Sequence, residues 1–415
     1  MKILLIGSGA REHALAYSLK SDASVSELHA APGNPGIGQL ATLHSVIADD
    51  PIAVSQLAKR ISADLVVIGP EAPLVAGVAD AIRAIGIPCF GPSQAAAALE
   101  GSKSFAKEIM ASAGVPTAQS ITCTTKSEIE NALDTFGSPY VVKNDGLAAG
   151  KGVVVTSDRA QALHHALACG KVVIEEFLDG PEISLFGISD GTHVIGMEPA
   201  QDFKRAFDND EGPNTGGMGA YSPLPWAPKD IIARTEQEVL IPTINEMAKR
   251  NTPFVGLLYA GLAMTSRGLR VIEFNARFGD PETEVLLPRL KTPLAQLLYA
   301  AATGNLAAQP PLQWSEQEAV TIVLASEGYP ERPTTGREIT GPTESPDAFI
   351  FHAGTKNEDE KLISSGGRVF AVTGLGSDLN SARENGYRVI SQISLKGSHY
   401  RKDIALAASI AQKEA

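Results

Sequence analysis

The stretch KNDGLAAGKGVVV, residues 143–155, sets Lys143 and Lys151 on either side of a Gly/Ala run between two apolar segments. Gly146, Gly150, Lys151 and Gly152 suggest a phosphate-binding P-loop at first sight. That motif requires four residues between its glycines, a Ser or Thr after the lysine, and a following helix. Here three residues intervene, Gly152 stands at the hydroxyl position, and the flanking PYVVKN (139–144) and GVVVTS (152–157) both read as strands. A P-loop is therefore excluded. The same residues fit a pliable flap between antiparallel strands, carrying a lysine over the phosphates of a nucleotide. The fold has to be read from what surrounds that flap.

On the C-terminal side, DRAQALHHALACG (158–170) reads as a helix and KVVIEEFL (171–178) as a strand. EISLFGISDGTHVIGMEPA (182–200) reads as a hairpin turning at Asp190-Gly191. QDFKRAFDNDEGPNTGGMGAYSP (201–223) reads as a long polar loop, of a length that compact proteins reserve for function or disorder. FVGLLYAGLAMTSRGLRVIEFN (254–275) returns to an antiparallel hairpin, followed by the helix PLAQLLYAAATG and the connector AAQPPLQW. On the N-terminal side, GSKSFAKEIMASAG (101–114) reads as a helix. Before it, KILLI, SELHAA, ADLVVIGP and IPCFGP are apolar strands separated by helical stretches, the rhythm of a parallel sheet. The reading is an α/β and α+β multidomain protein. It has a Rossmann-like unit over 1–100, a mixed unit over 101–305, and a small α+β domain over 315–415.

Composition agrees. A chain of 415 residues is too long for one average core, and its 44% hydrophobic and 20% charged residues are ordinary for a globular protein. A net charge of −12 provides no global field for nucleic acid or anionic lipid, so any positive site is local. The three cysteines are far apart and form no C-x-x-C, which argues against disulfides or a zinc cluster. The start MKILLIGSGAREHA is too short an apolar run for a signal peptide, and no stretch reaches membrane-spanning length. A cytoplasmic protein is expected.

The first glycine turn, Gly7-Ser8-Gly9, begins like a dinucleotide fingerprint, but Glu12 takes the third glycine position and no acidic residue ends the second strand. What survives is a turn at a helix N-terminus, beside Arg11 and His13, suited to a single phosphate. A flap over phosphates needs a nucleotide and a metal. The backbone of 172–178 suits an adenine edge, and Glu182 is placed for ribose hydroxyls. Strand alternation puts Glu273 and Asn275 on one face with Phe274 on the other. Two oxygen ligands, completed by phosphate and water, describe a magnesium site. Arg277, Asp280 and Glu282 crowd the same edge. His164 and His165 read as surface residues of a helix, and the methionines as packing residues.

At this point GSGAREHA, APGNPG, VIGPEAPL, EGSKSFAK, DGLAAGKGV, VIEEFLDG, GPNTGGMGAYSP, IEFNARFGDPE, FHAGTK and RKDIA together resemble the glycinamide ribonucleotide synthetases, ATP-grasp ligases of purine biosynthesis. The match is collinear over essentially the whole chain. It implies four units (an N-terminal α/β domain, a two-part ATP-grasp unit over 101–305 made of a lid at about 117–190 and a core, and a C-terminal domain) and the ligation of glycine to 5-phosphoribosylamine with ATP and Mg²⁺ or Mn²⁺. It implies phosphate contacts from Lys103 and Lys143 and a mobile loop holding Gly146, Gly150, Lys151 and Gly152. Glu175, Glu176, Phe177 and Leu178 fall on the adenine side, Glu182 at the ribose, and Glu273 and Asn275 at the metal. Gly9, Arg11, Glu71, Arg277 and Asp280 fall at the phosphoribosylamine pocket. Asp202, Lys204, Asn214, Thr215, Gly216 and Gly217 frame the reacting centre, with Lys143, Arg277, Asp202 and Lys204 as the catalytic set. A monomer or homodimer without nucleic-acid or membrane partners is expected.

Three departures stand out. Asn144 replaces a frequent alanine, Phe203 replaces a frequent His or Tyr, and the segment 156–173 is short, which bears on lid length. The alternatives are another ATP-grasp carboxylate–amine ligase, or a nucleotide-binding regulator without turnover. A dinucleotide oxidoreductase is weakened by Glu12.

Overall fold

The first apolar run forms the strand Lys2–Gly7, the middle of a five-stranded parallel sheet ordered Thr42–Leu43, Glu27–Pro32, Lys2–Gly7, Leu65–Ile68, Cys89–Phe90. The computed structural model describes residues 1–147, 152–342, 345–346 and 348–414. Strands buried on both faces read as continuous apolar runs, as LLI and LVVI do. One face is covered by the helix Ala10–Ser21 and by the helix Leu294–Ala302, which returns from much later in the chain. Asp22 Oδ2 accepts from the first amides of that returning helix, Ala295 N at 2.9 Å and Gln296 N at 3.4 Å.

Residues 120–175, within the span expected for the lid, form a small unit with its own sheet and interior. Its antiparallel sheet is ordered Ser120–Cys123, Val172–Glu175, Tyr140–Asn144, Val153–Thr156, and the helices Lys126–Phe136 and Arg159–Cys169 pack on it. Its buried side chains, among them Ile129, Leu133, Val142, Ala162 and Ile174, cluster apart from the main core. Gly150 and Lys151 of the flap lie outside the described residues. The lid sheet ends at Glu175, and the next strand, Glu182–Asp190, pairs antiparallel with Val255–Thr265 in a different sheet, beside Gly268–Asn275.

The polar segment 201–223 is more ordered than its composition suggests. Gln201–Asp202 and Gly219–Ser222 join the sheet of the C-terminal segment, next to Glu318–Ala325, Arg368–Gly376 and Ala348–His352. Arg205–Phe207 and Glu211–Asn214 form a hairpin between them, turned by Asn209 and Asp210 at positive φ. Strands of two to four residues are too short to show alternation, so the sequence pattern reads as loop. The three domains therefore share strands and seams rather than following one another along a string. Among the described residues no helix is long and apolar enough to cross a membrane.

Candidate active site

The strand Gly268–Asn275 carries the site at its C-terminal end. Its register sets Phe274 opposite Ala260 in the core, and leaves Glu273 and Asn275 on the other face, half-buried. Desolvation disfavours the Glu273 carboxylate, but Lys204, Lys143, Lys103 and Arg277 outweigh it and hold the group below its ordinary value. Beneath this end, Glu282 is 2% exposed and its Oε1 accepts from Tyr259 OH at 2.8 Å and Ser184 Oγ at 2.9 Å. On the neighbouring segment, desolvation and then the nearby carboxylates Glu282, Glu182 and Glu273 push Asp202 up to about 7, against the pull of Lys204. Lys204 Nζ donates to Glu182 Oε2 at 2.6 Å. Removal from water works against its charge, but Asp202, Glu182, Tyr259 and Glu273 keep the ammonium well above the usual lysine value.

Facing this end is the inner edge of the lid. Lys143 is buried, and its Nζ meets Glu175 Oε2 at 2.9 Å and the Ile272 carbonyl at 2.8 Å. Glu175 Oε1 lies 3.0 Å from Lys107 Nζ, which also donates to Thr117 Oγ1 and the Ala118 carbonyl. Burial lowers the Lys107 pKa despite Glu175. One carboxylate thus fixes two lysines; Lys107 uses all three of its donors, whereas Lys143 keeps a third for an anion. Lys103 Nζ donates to the Gly146 carbonyl at 3.2 Å, at the root of the flap. Glu176 accepts from Gln119 N and pairs with Arg267 at 2.9 Å, whereas Phe177 is 48% exposed. Exposure at that position suits a segment whose backbone, rather than its side chains, meets a ligand.

The other flank is a cross-domain ion network. Arg277 meets Glu71 at 3.2 Å and Glu100 at 3.4 Å, and these carboxylates raise its pKa against desolvation. Glu100 Oε2 accepts from Ala276 N at 2.7 Å. Arg11 binds Glu12 and donates to the Phe278 carbonyl at 3.2 Å. Glu12 also folds back to accept from Gly9 N at 2.6 Å, a capping arrangement that fills the space beside Gly7, Gly9 and Gly69. Glu12 at the third glycine position is therefore a helix cap and the partner of Arg11. The phosphate reading set Arg11 and His13 beside the turn; here Arg11 pairs with Glu12, and His13 accepts from His352 N at 2.8 Å.

A cavity of about 420 Å³ opens beside this network. It is lined by Ser8, Gly9, Gly33, Asn34, Asp280 and Arg368, with residues 353–355 and Ser365. Arg368 meets Asp280 Oδ1 at 2.9 Å and donates to the Gly216 carbonyl at 2.6 Å. Residues 214–217 reach it through the Gly216 carbonyl, and Thr215 ties them to the Lys204 segment: its Oγ1 donates to the Lys204 carbonyl at 2.9 Å and accepts from Gly217 N at 2.9 Å. Gly217 has φ +110, and a Cβ there would overlap the Pro281 ring, so glycine is required.

The structure thus brings Lys103, Lys143, Glu175, Glu182, Asp202, Lys204, Glu273, Asn275 and Arg277 around one cleft, with Gly9, Glu71, Asp280 and 214–217 on its far side. Lys107, Glu100, Ser184, Tyr259, Asn34 and Arg368 were not singled out from sequence. Lys107 and Glu100 sit inside the quoted EGSKSFAK motif, and a lysine four residues after Lys103 on one helix was a usable signal. Arg368 comes from a distant strand, and nothing local marks it.

Comparison with known proteins decides the family. Models of the phosphoribosylglycinamide synthetase N domain, ATP-grasp (A) domain and C domain match residues 1–100, 101–283 and 319–407. The chain belongs to the phosphoribosylglycinamide synthetase family. It is similar to the phosphoribosylamine–glycine ligase of Streptomyces coelicolor, 62% identical over 99% of this chain and 100% of that one. It is 54% identical to the ligase of that name from Leifsonia xyli, over 98% and 100% of the two chains. The crystal structure of phosphoribosylamine–glycine ligase from Thermotoga maritima superposes with TM-score 0.85 at 32% identity, over 98% of this chain and 100% of that one. A biotin carboxylase domain from Hydrogenobacter thermophilus, solved with MgADP, shares the fold alone, with TM-score 0.71 at 16% identity over 99% of this chain and 93% of that one. The synthetase family comprises ATP-grasp ligases of purine biosynthesis.

Proposed function

We propose that the protein joins glycine to 5-phosphoribosylamine, giving glycinamide ribonucleotide, ADP and phosphate, in the cytoplasm, as a monomer or homodimer without nucleic-acid or membrane partners. The observation that carries this reading is the convergence of Lys103, Lys143, Lys204 and Arg277 on Glu273, in a chain of this family.

A carboxylate is a poor electrophile at neutral pH, so the glycine carboxyl is first activated. One carboxylate oxygen bonds the γ-phosphorus of ATP as the bond to the bridging oxygen breaks and ADP leaves. The product of that step is glycyl phosphate. Charge spreads over phosphoryl oxygens, and catalysis is chiefly positioning and neutralisation, the work assigned to Lys103, Lys143 and Arg277. The amine nitrogen of phosphoribosylamine then bonds the acyl carbon, phosphate leaves, and the nitrogen gives up a proton. Asp202, at about 7, is balanced to accept it near neutral pH, with Lys204 beside it. Holding both reactants in one closed cleft contributes about 7–11 kcal/mol through orientation. The flap around Gly146 and Gly152 excludes the water that would hydrolyse the acyl phosphate. The cavity of Ser8, Gly9, Asn34, Asp280 and Arg368 takes the phosphate of phosphoribosylamine, and Glu175–Leu178 with Glu182 takes the nucleoside.

Glu273 and Asn275 fit a hard divalent cation, since the cations around Glu273 favour its ionised form and both residues offer oxygen. Among the described residues no group of three or more His, Cys, Asp or Glu forms a complete cage, as suits Mg²⁺ or Mn²⁺ completed by phosphate oxygens. Bound there, the ion supplies charge neutralisation at the phosphates.

The test is ADP release with glycine, ATP and Mg²⁺, with and without phosphoribosylamine made from ribose 5-phosphate and ammonia. Release that needs glycine and rises sharply with phosphoribosylamine is expected. Release independent of glycine, or supported equally by another acid, overturns the assignment. No release with either metal makes the protein a nucleotide-binding regulator instead.

A further inference from the structure

APGNPG (31–36) and FHAGTK (351–356) both border the cavity described above, and they also meet each other. Asn34 Nδ2 donates to the Ser8 carbonyl at 2.8 Å and to the His352 carbonyl at 2.7 Å, spanning the N-terminal turn and the end of a C-terminal strand. Its Oδ1 accepts from Ile37 N at 2.9 Å, which fixes the orientation of the amide. In the opposite direction, His352 N donates to His13 Nδ1 at 2.8 Å. That bond requires His13 neutral with its proton on Nε2, and burial, with His352 beside it, holds the ring neutral. The His352 Nδ1 lies 3.0 Å from Thr355 Oγ1. Gly36 makes room for both imidazoles, because a Cβ there would overlap His13 Cε1 and His352 Cδ2. Each end of this clamp adjoins the same cavity: Ser8, Gly9 and Asn34 line one wall, and residues 353–355 line another with Arg368 and Asp280 nearby.

We propose that the Asn34–His352–His13 clamp is a positioning device for phosphoribosylamine, setting the gap between the Ser8–Gly9 turn and Arg368. This rests on the reading that the cavity takes the substrate's phosphate. The geometry fits the role because a single side-chain amide bonds both walls at once, so the width of the cavity follows from two hydrogen bonds of fixed length. Asn34 itself borders the cavity. His13 and Gly36 act only through the clamp.

The test measures KM for phosphoribosylamine, glycine and ATP, together with kcat, in four variants. Gly36→Ala and His13→Leu are expected to raise KM for phosphoribosylamine about tenfold, with the other two KM values and kcat within twofold. His13→Asn, whose Oδ1 takes the place of Nδ1 as the acceptor for His352 N, is expected to restore it. His13→Leu is the reserve if Gly36→Ala does not fold. A loss spread equally over all three substrates indicates a merely structural role and overturns the proposal, as does an unchanged KM in both folded variants. Arg368→Gln separates the two readings. If it raises the phosphoribosylamine KM while the clamp variants do not, the cavity reading stands and the clamp falls. If it changes nothing, the cavity reading fails and the clamp proposal fails with it.

Discussion

Glu273 sits among four cations that favour its charge, and Asn275 adds a neutral oxygen on the same strand face. Glu273→Ala and Asn275→Ala should each cut metal-dependent ADP release by more than about 100-fold while the melting temperature moves by only a few degrees. A Mg²⁺ titration beside a thermal melt reads both, and retained activity would refute the metal assignment. Glu284 behaves in the opposite way. It is fully buried and neither carboxyl oxygen has a hydrogen-bond partner among the described residues. Burial first, and Asp280 second, raise its pKa well above the ordinary carboxyl value. A raised acid contributes its stability below about pH 4.5 and loses it as pH climbs toward the folded value. Glu284→Gln should therefore be the more stable protein by about 1–2 kcal/mol at pH 8, with a smaller gap at pH 5. Denaturant melts at the two pH values decide it; a gap independent of pH would sink the idea.

Among the elements, the lid is pinned to the core helix Lys103–Ala113 through Asp145. Its carboxylate accepts from Ser104 N at 2.8 Å, Ser104 Oγ at 2.7 Å and Ser102 Oγ at 3.1 Å, and meets Lys171 at 2.7 Å. Desolvation opposes its charge, but Lys171 and the serines prevail and hold Asp145 down to about 2. Asp145→Ala should free the lid, raising amide exchange in Tyr140–Asn144 and Val153–Thr156 and increasing ATP hydrolysis without product. An unchanged ratio of ADP to glycinamide ribonucleotide would remove Asp145 from the closing motion. The hairpin Val255–Thr265/Gly268–Asn275 was legible because two long, largely apolar stretches flank a short turn, and the local alternation at 273–275 sets Glu273 and Asn275 on one face. Four of the five parallel strands were legible from apolar runs, but the two-residue edge strand Thr42–Leu43 was not. The strands within 201–223 were not legible either, since two to four residues span only one or two strand periods. Nor were the partners of Lys143 and Arg277, since Glu175, Glu71 and Glu100 meet them only through tertiary folding, and charge in a sequence does not reveal its neighbour.

In the whole molecule, the seam between the first sheet and the C-terminal sheet buries two imidazoles. Burial, then His352, takes His13 to about 3, and burial takes His352 to about 4. Both lie below the value near 6.5 expected of an unfolded chain, which therefore binds protons first as the solution is acidified. The stability contributed by neutral rings is present above about pH 6.5 and is lost between there and pH 3–4. The melting temperature should fall across that window, and His13→Gln with His352→Asn should flatten the slope; an equal slope in the double variant would assign the acid sensitivity elsewhere.

The separate apolar cluster of the lid has a thermal consequence. Small units with their own interior bury too little surface to match a large one, so they soften earlier on heating. A calorimetric trace of the protein alone should show a shoulder ahead of the main peak. Nucleotide bridging Lys143 and Glu273 would merge the two into a single endotherm, because a ligand shared by both parts makes each one's melting wait on the other.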